Sequence, residues 1–292
     1  MTWEEIIYDI RKRPEFDQLV KDAYLGADLI ENVSRFASGE EFTETLKLIT
    51  SYGINPPANV LDIGAGNGIA TVAFAQKGFF VHALEPDPSN TIGAGAIREL
   101  VSSLKLTNLI VSEKTAEQLD THENNFDLVY VRQAVHHAND LSKFVTNAVA
   151  SLKPGGVYLA LRDHVIFDQK DKEWFLQSHP LHKYYGGENA FTLKEYLNAM
   201  EEAGLINIRY WKYYESAINY LPISTATLNE KAKNREDLIS NSLTSKFGKT
   251  IGNWSFIRKW YEKRVERKLG PALDERLVPG RPYSFIGIKP LK

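Results

Sequence analysis

The residues best placed to do chemistry fall into two groups. The first is Asp62, Gly64, Gly66 and Gly68, an acid and three glycines at alternate positions, with Glu85 further on. Glycines let the backbone turn tightly and let a ligand approach where a Cβ would collide. A helix that starts there turns free N–H groups on the ligand. An acid at the end of the following strand accepts hydrogen bonds from ribose hydroxyls. The second group is His136, His137 and His164, and then His179-x-x-His182 with Glu188. Imidazole moves protons near neutrality, and a set of histidines with a carboxylate also suits a metal. Pro180 interrupts the His179–His182 pair, no second pair has a recognised spacing, and no metal is expected.

The elements that must position these residues are legible around them. An apolar strand at Asn59–Ile63 runs into the glycines. Ile69, Val72, Ala73 and Gln76 then follow at helical spacing. A second strand, Phe79–Leu84, ends on Glu85, which makes a β-α-β unit for a nucleotide-like ligand. Leu109–Val111 is a short third strand and Phe126–Val131 a fourth, followed by Arg132-Gln133-Ala134-Val135-His136-His137. The carboxyl end of a central strand in an open α/β sheet faces the ligand crevice, so this loop is expected at the site. Asp140 caps a helix, and a turn at 153–156 leads to a fifth strand, Val157–Leu161. Residues 206–214 and 283–288 read as two more strands. Ahead of the first strand, residues 3–52 read as helices, with a capping box at Ser38-Gly39-Glu40-Glu41. Tyr24, Asp28, Asn32 and Arg35 are polar enough there to touch a ligand.

The dinucleotide fingerprint would place its third glycine at position 69, which is Ile69. The spacing Asp62-x-Gly64-x-Gly66-x-Gly68 resembles motif I of the class I S-adenosylmethionine-dependent methyltransferases. The turn Lys153-Pro154-Gly155-Gly156 is a second match to that family. The resemblance covers roughly residues 57–214 and 282–289. It implies a seven-stranded, mostly parallel Rossmann-like sheet with N-terminal helices and helical inserts. It also implies S-adenosylmethionine as cofactor and S-adenosylhomocysteine as product. The cofactor contacts it implies are Asp62, Gly64, Ala65, Gly66, Gly68, Glu85 and Pro86, with Ala116 and Glu117 by the adenine and Arg132 and Gln133 by the transferred methyl. His164 and His136 are the expected bases for an oxygen or nitrogen acceptor, while His137 is read as packing beneath its loop. Adjacent side chains on an extended chain point opposite ways, so Asp163 is not expected to serve His164. The acceptor is expected to be a small molecule or a sugar or glycan. Two other readings stand beside this one, a nicotinamide-dependent oxidoreductase and a non-catalytic cofactor-binding protein.

The chain has 292 residues, a net charge of −2 and no cysteine. Disulfide and thiolate chemistry are excluded, and no global field points to nucleic acid. The loop at 132–137 also lacks the Asn/Asp-Pro-Pro-aromatic motif of amino-directed nucleic-acid enzymes. No stretch approaches the ~20 apolar residues of a membrane span. The opening residues lack the apolar core of a signal peptide, and a cytoplasmic location is expected. Residues 1–56 read as a helical cap. Residues 57–219 and 281–292 read as the core, with an insert at 163–191 over the crevice. Residues 220–280 read as a helical insert striped by Trp254, Ile257, Tyr261 and Val265. Between 230 and 281 there are 13 Lys and Arg against 7 acids, an excess that would favour an anionic acceptor.

Overall fold

The computed structural model describes residues 2–119, 125–185, 187–252, 255–269 and 273–291. The chain divides into Met1–Asn219 with Pro279–Lys292, and Tyr220–Val278.

The first unit opens with α1 (Trp3–Ile10), α2 (Asp17–Asp22), α3 (Leu29–Ala37) and α4 (Glu40–Ser51). Then come β1 (Asn59–Ile63), α5 (Ile69–Gln76), β2 (Phe80–Leu84), α6 (Ala94–Leu104), β3 (Leu109–Ser112) and β4 (Phe126–Arg132). They are followed by α7 (Leu141–Ala150), β5 (Leu152–Ile166), α8 (Gln169–Ser178), α9 (His182–Tyr185), β6 (Phe191–Thr192), α10 (Leu193–Glu202), β7 (Ile206–Trp211) and α11 (Ala217–Tyr220). After the second unit the chain returns as β8 (Pro282–Ile288).

The strands form a sheet in the order β3-β2-β1-β4-β5-β8-β7, parallel except for β8, which runs antiparallel to both β5 and β7. An eighth strand beyond the seven expected is the two-residue β6, paired with β5 off the main path. Asp62 of β1 lies opposite Ala83 of β2 and Tyr130 of β4, so all three strands deliver their carboxyl ends to one edge. Central parallel strands are covered on both faces, and Val60, Leu61, Ile63, Leu128, Val129 and Val131 are accordingly all buried. Helix α5 is apolar all round and buried from Ile69 to Ala75, between the sheet and α3. A run of tilted and edge-to-face rings ties the layers together. Phe36–Phe42, Phe42–Phe74 and Phe74–Tyr130 have centroids 5.3, 5.1 and 5.0 Å apart. Such pairs add roughly 0.5–1.5 kcal/mol each beyond their burial.

Two local expectations are corrected. Strand β5 does not stop at Leu161 but runs on to Ile166, so Arg162, Asp163 and His164 are strand residues rather than a loop. Their polarity hides the strand, and each is matched by a partner from a distant segment, as described below. Ser38 does not cap α4; its hydroxyl donates back to the Ser34 carbonyl at 2.8 Å, and Gly39 is the N-cap residue.

In the second unit, α12 (Thr225–Gly252) breaks at Gly248 and α13 (Ser255–Leu269) follows. Ile239, Leu243 and Tyr261 form its buried cluster with Ile257 against it. The expected stripe thus holds for Ile257 and Tyr261, while Trp254 and the Val265 side chain lie outside the described residues. Arg258 pairs with Glu236 and Glu262. Among the described residues no helix is long and apolar enough to cross a membrane.

Candidate active site

The glycine loop joins β1 to α5 at the carboxyl edge of the sheet. Gly64 has φ +70°, and a Cβ there would sit 2.4 Å from the Ala134 Cβ. Gly66 has φ +56° and open space where a Cβ would stand, the nearest atom being the Ile92 carbonyl oxygen at 3.9 Å. That space belongs to a cavity of about 350 Å³ whose walls include Gly64, Gly66, Glu85, Ala116, Glu117 and Gln133. Ligand pockets begin near this size. Glu85 closes one side. Its Oε2 accepts from the Gly66 N–H at 2.7 Å and its Oε1 from the Asp87 N–H at 2.9 Å. Burial pushes the Glu85 carboxyl up to about 7, although both backbone bonds favour its charged form. Pro86 lines the same cavity. The cradle, the volume and the held acid together fit a nucleoside-bearing cofactor.

Asp62 and Ala65 border an adjoining cavity of about 350 Å³ instead. Asp62 accepts from Thr71 Oγ1 at 2.5 Å, and burial lifts its carboxyl to about 6 against that bond. Gly68 lines neither cavity; a Cβ there would meet Ile97, so this glycine lets α5 and α6 approach. Glu117 spends Oε1 on the Asn139 N–H at 3.2 Å.

The adjoining cavity shares Gly64, Gly66, Gln133 and His137 with the first and brings His136, His164, His179 and Glu188 together. His136 sits in the 3₁₀ turn after β4 and is 2% exposed. Asp163 Oδ1 accepts from its backbone N–H at 3.1 Å and lies 2.9 Å from its Nδ1. Glu188 Oε2 lies 3.5 Å from its Nε2. Burial opposes a charge on this ring, but the bonds to Asp163 and Glu188 outweigh it and raise the imidazole to about 9. Asp163 thus serves His136 and not His164. The Nδ1 of His164 is bonded to the Gly280 carbonyl, and burial together with charged His136 holds His164 well below its ordinary value. His137 Nδ1 is 2.9 Å from the Gly187 carbonyl oxygen and tethers the loop that carries Glu188.

Arg132 also borders this second cavity, and its guanidinium is committed. Its Nε and Nη2 donate to Glu41 of α4 at 2.6 and 3.1 Å. Arg162 Nη1 stands 3.8 Å from the same carboxylate and donates to the Ile218 carbonyl at 2.6 Å. Burial pushes Glu41 up, yet the charges of Arg132 and Arg162 and the Arg132 hydrogen bond hold it below its usual range.

The N-terminal polar residues play structural parts. Asp28 caps α3, Asn32 donates to the Gly26 carbonyl, and Arg35 lies over the Tyr24 ring. The N-terminal residues that do border the cavities are Trp3, Leu19, Ala23 and Leu25, which sequence reasoning passed over. Their apolar spacing signals packing, and nothing in it marks a cavity wall.

The order of this sheet and the placement of the glycine loop are those of a methyltransferase fold. A methyltransferase-domain family model matches residues 29–210, and the chain belongs to that family. Phosphoethanolamine N-methyltransferase 2 of Caenorhabditis elegans is 27% identical over 237 residues, covering 76% of this chain and 52% of the relative. A ubiquinone biosynthesis O-methyltransferase of Paramagnetospirillum magneticum is 34% identical over 100 residues, 34% of this chain and 38% of that one. The chain therefore spans about half or less of these relatives. Among solved structures, phosphoethanolamine N-methyltransferase 2 of Haemonchus contortus in complex with S-adenosyl-L-methionine shares the fold. Its TM-score is 0.53 at 20% identity, over 97% of this chain and 60% of that one.

Proposed function

We propose that the chain transfers a methyl group from S-adenosylmethionine to an oxygen or nitrogen atom of a small-molecule acceptor. The observation that carries this reading is the first cavity, where an open glycine cradle at Gly64 and Gly66 faces a carboxylate held at Glu85. Glu85 accepts from the ribose hydroxyls, Gly66 leaves room for the methionine side, and Ala116, Glu117 and Gln133 complete the wall. The cofactor supplies a methyl on a sulfonium, which needs no activation by the protein. What remains for the chain is to orient the acceptor and to exclude water, and positioning alone is worth ~7–11 kcal/mol. The acceptor enters the adjoining cavity, where His136 and His164 meet it. The name of the Caenorhabditis elegans relative supports an anionic acceptor, such as a phosphorylated amine.

The test is calorimetric titration of S-adenosylmethionine and of NAD, followed by methyl-transfer assays over amine and hydroxyl acceptors with and without phosphate. Saturable binding of S-adenosylmethionine that Glu85→Gln weakens roughly ten- to hundredfold is expected, from the loss of a charge-assisted bond. Binding of NAD in its place would overturn the reading.

A further inference from the structure

The histidine cluster has a chemistry of its own. His136 comes from the turn after β4, His164 from β5, His179 from the end of α8 and Glu188 from the loop before β6. One donor atom from each of His136, His164 and Glu188 lies within 4.8 Å of the other two. The Glu188 carboxylate bridges toward His136 Nε2 at 3.5 Å through Oε2 and toward His179 Nδ1 at 3.7 Å through Oε1. The rings of His136 and His164 are 4.6 Å apart, and those of His164 and His179 are 6.0 Å apart.

The second layer is equally specific. The Nδ1 of His136 is bonded to the Asp163 carboxylate, which is fully buried. The Nδ1 of His164 is bonded to the Gly280 carbonyl. In both rings Nδ1–H is the donor, since a carboxylate and a carbonyl only accept. The lone pair of the neutral ring therefore sits on Nε2 in each case. A carboxylate or carbonyl behind the ring is what fixes the tautomer and orientation of a metal-ligating histidine. Asp163 and Glu188 also flank the His136 ring, so a divalent cation that displaces its Nε2 proton meets two carboxylates.

We propose that His136 Nε2, His164 Nε2 and a Glu188 oxygen bind one divalent transition-metal ion, with His179 at its edge and Asp163 and Gly280 orienting the two rings. Two imidazoles and a carboxylate form a donor set that zinc-class ions accept while keeping a coordination position open. Ligand bonds of about 2.0–2.2 Å require the three donors to draw together from their present spacing, so both imidazoles as well as the Glu188 carboxylate shift when the ion binds. The cluster faces the second cavity, so the open position faces it too. This assignment does not depend on the cofactor reading. A role for the ion in holding an oxygen-bearing acceptor rests on that reading.

The test uses the full chain after treatment with EDTA. Cobalt(II) chloride is titrated with visible absorption as the readout, and zinc chloride by calorimetry. One equivalent should bind, with the ligand-field bands of a low-symmetry nitrogen–oxygen site. His164→Ala and Glu188→Gln should each weaken binding more than tenfold. Asp163→Asn, which removes only the orienting carboxylate, should weaken it about 10–100-fold. His82→Ala, far along β2 and hydrogen-bonded to Ser112, should leave it unchanged. Circular dichroism establishes that each variant is folded; where Asp163→Asn is not, His164→Ala and Glu188→Gln decide. Absence of saturable cobalt binding would overturn the proposal. So would one equivalent that survives both His164→Ala and Glu188→Gln at wild-type affinity. S-adenosylmethionine titrated into the same proteins keeps the two readings apart, because its cavity wall includes neither His164 nor Glu188.

Discussion

Replacing Glu41 with alanine strands two arginines. Glu41 is 3% exposed and receives Arg132 at 2.6 and 3.1 Å, with Arg162 Nη1 at 3.8 Å. Both arginine side chains are mostly buried, 14% and 10% exposed. Arg132 lies 5.4 Å from the Phe36 ring, and Arg162 is held by the Ile218 carbonyl. Removing one partner of a buried pair costs about 3–5 kcal/mol, most of it the penalty of the charge left behind. At ~2–4 °C per kcal/mol for a unit of this size, the midpoint should fall by roughly 6–20 °C. The assay is urea and thermal unfolding followed by circular dichroism. Changing Arg132 to Met in the same protein should recover part of the loss, because one stranded charge is gone. The pair also sets an acid limit. The folded carboxyl titrates below its unfolded value of 4.5. Its contribution is therefore present above pH 4.5 and lost as pH falls through the folded value. Glu41→Ala should lack that part of the acid limb. A loss under about 1 kcal/mol, or a double variant no more stable than the single one, would refute the buried-charge argument.

Three further outcomes follow from the same site. In the free protein the Glu85 carboxyl is raised from 4.5 to about 7, so the stability it contributes is full below pH 4.5 and lost as pH rises through about 7. Glu85→Gln should flatten that slope in unfolding experiments. Binding of the proposed cofactor needs the ionised form, so its affinity should rise with pH through about 7 in the wild type and not in Glu85→Gln. Gly66→Val should lose stability, because a β-branched residue is strained at φ +56°, and bind no cofactor, while Gly64→Ala adds to the same kind of strain a Cβ that meets Ala134 at 2.4 Å; thermal melts and calorimetry read both. His164→Ala should lower turnover at least tenfold while leaving cofactor affinity unchanged, and a parallel loss of both would place His164 in the cofactor wall instead.

Local patterns were the legible part. Asn59 to Glu85 announces itself because strand, glycines, helix and acid lie within one short stretch, and each is set by its neighbours in sequence. The edge of β5 was hidden for the opposite reason. Arg162, Asp163 and His164 are too polar to read as strand, and their burial is made tolerable by Glu41, His136 and Gly280, none of them local. The meeting of His136 with Glu188 is beyond periodicity for the same reason, since it depends on a loop folding back and being tied by His137 to Gly187. The pattern His179-x-x-His182 drew attention to the right segment and the wrong pair. His179 faces Glu188, while His182 starts α9. In the N-terminal helices the polar residues drew the eye, but capping and backbone bonds had claimed them, and the cavity is walled by the apolar ones.

The position of β8 bears on how the protein is made. Strand β5 needs β8 on its open side, yet more than a hundred residues of chain separate Ile166 from Pro282. A ribosome adding roughly 5–20 residues per second leaves that edge exposed for on the order of ten seconds. During that interval β1, β2, β3 and β4 are already out and able to pair, so a half-sheet with a bare, largely apolar rim waits for its closing strand. Such a rim invites a neighbouring nascent chain. Synthesis in dense polysomes should therefore yield more aggregate than refolding of the finished chain at the same concentration, and slowing initiation should recover soluble protein.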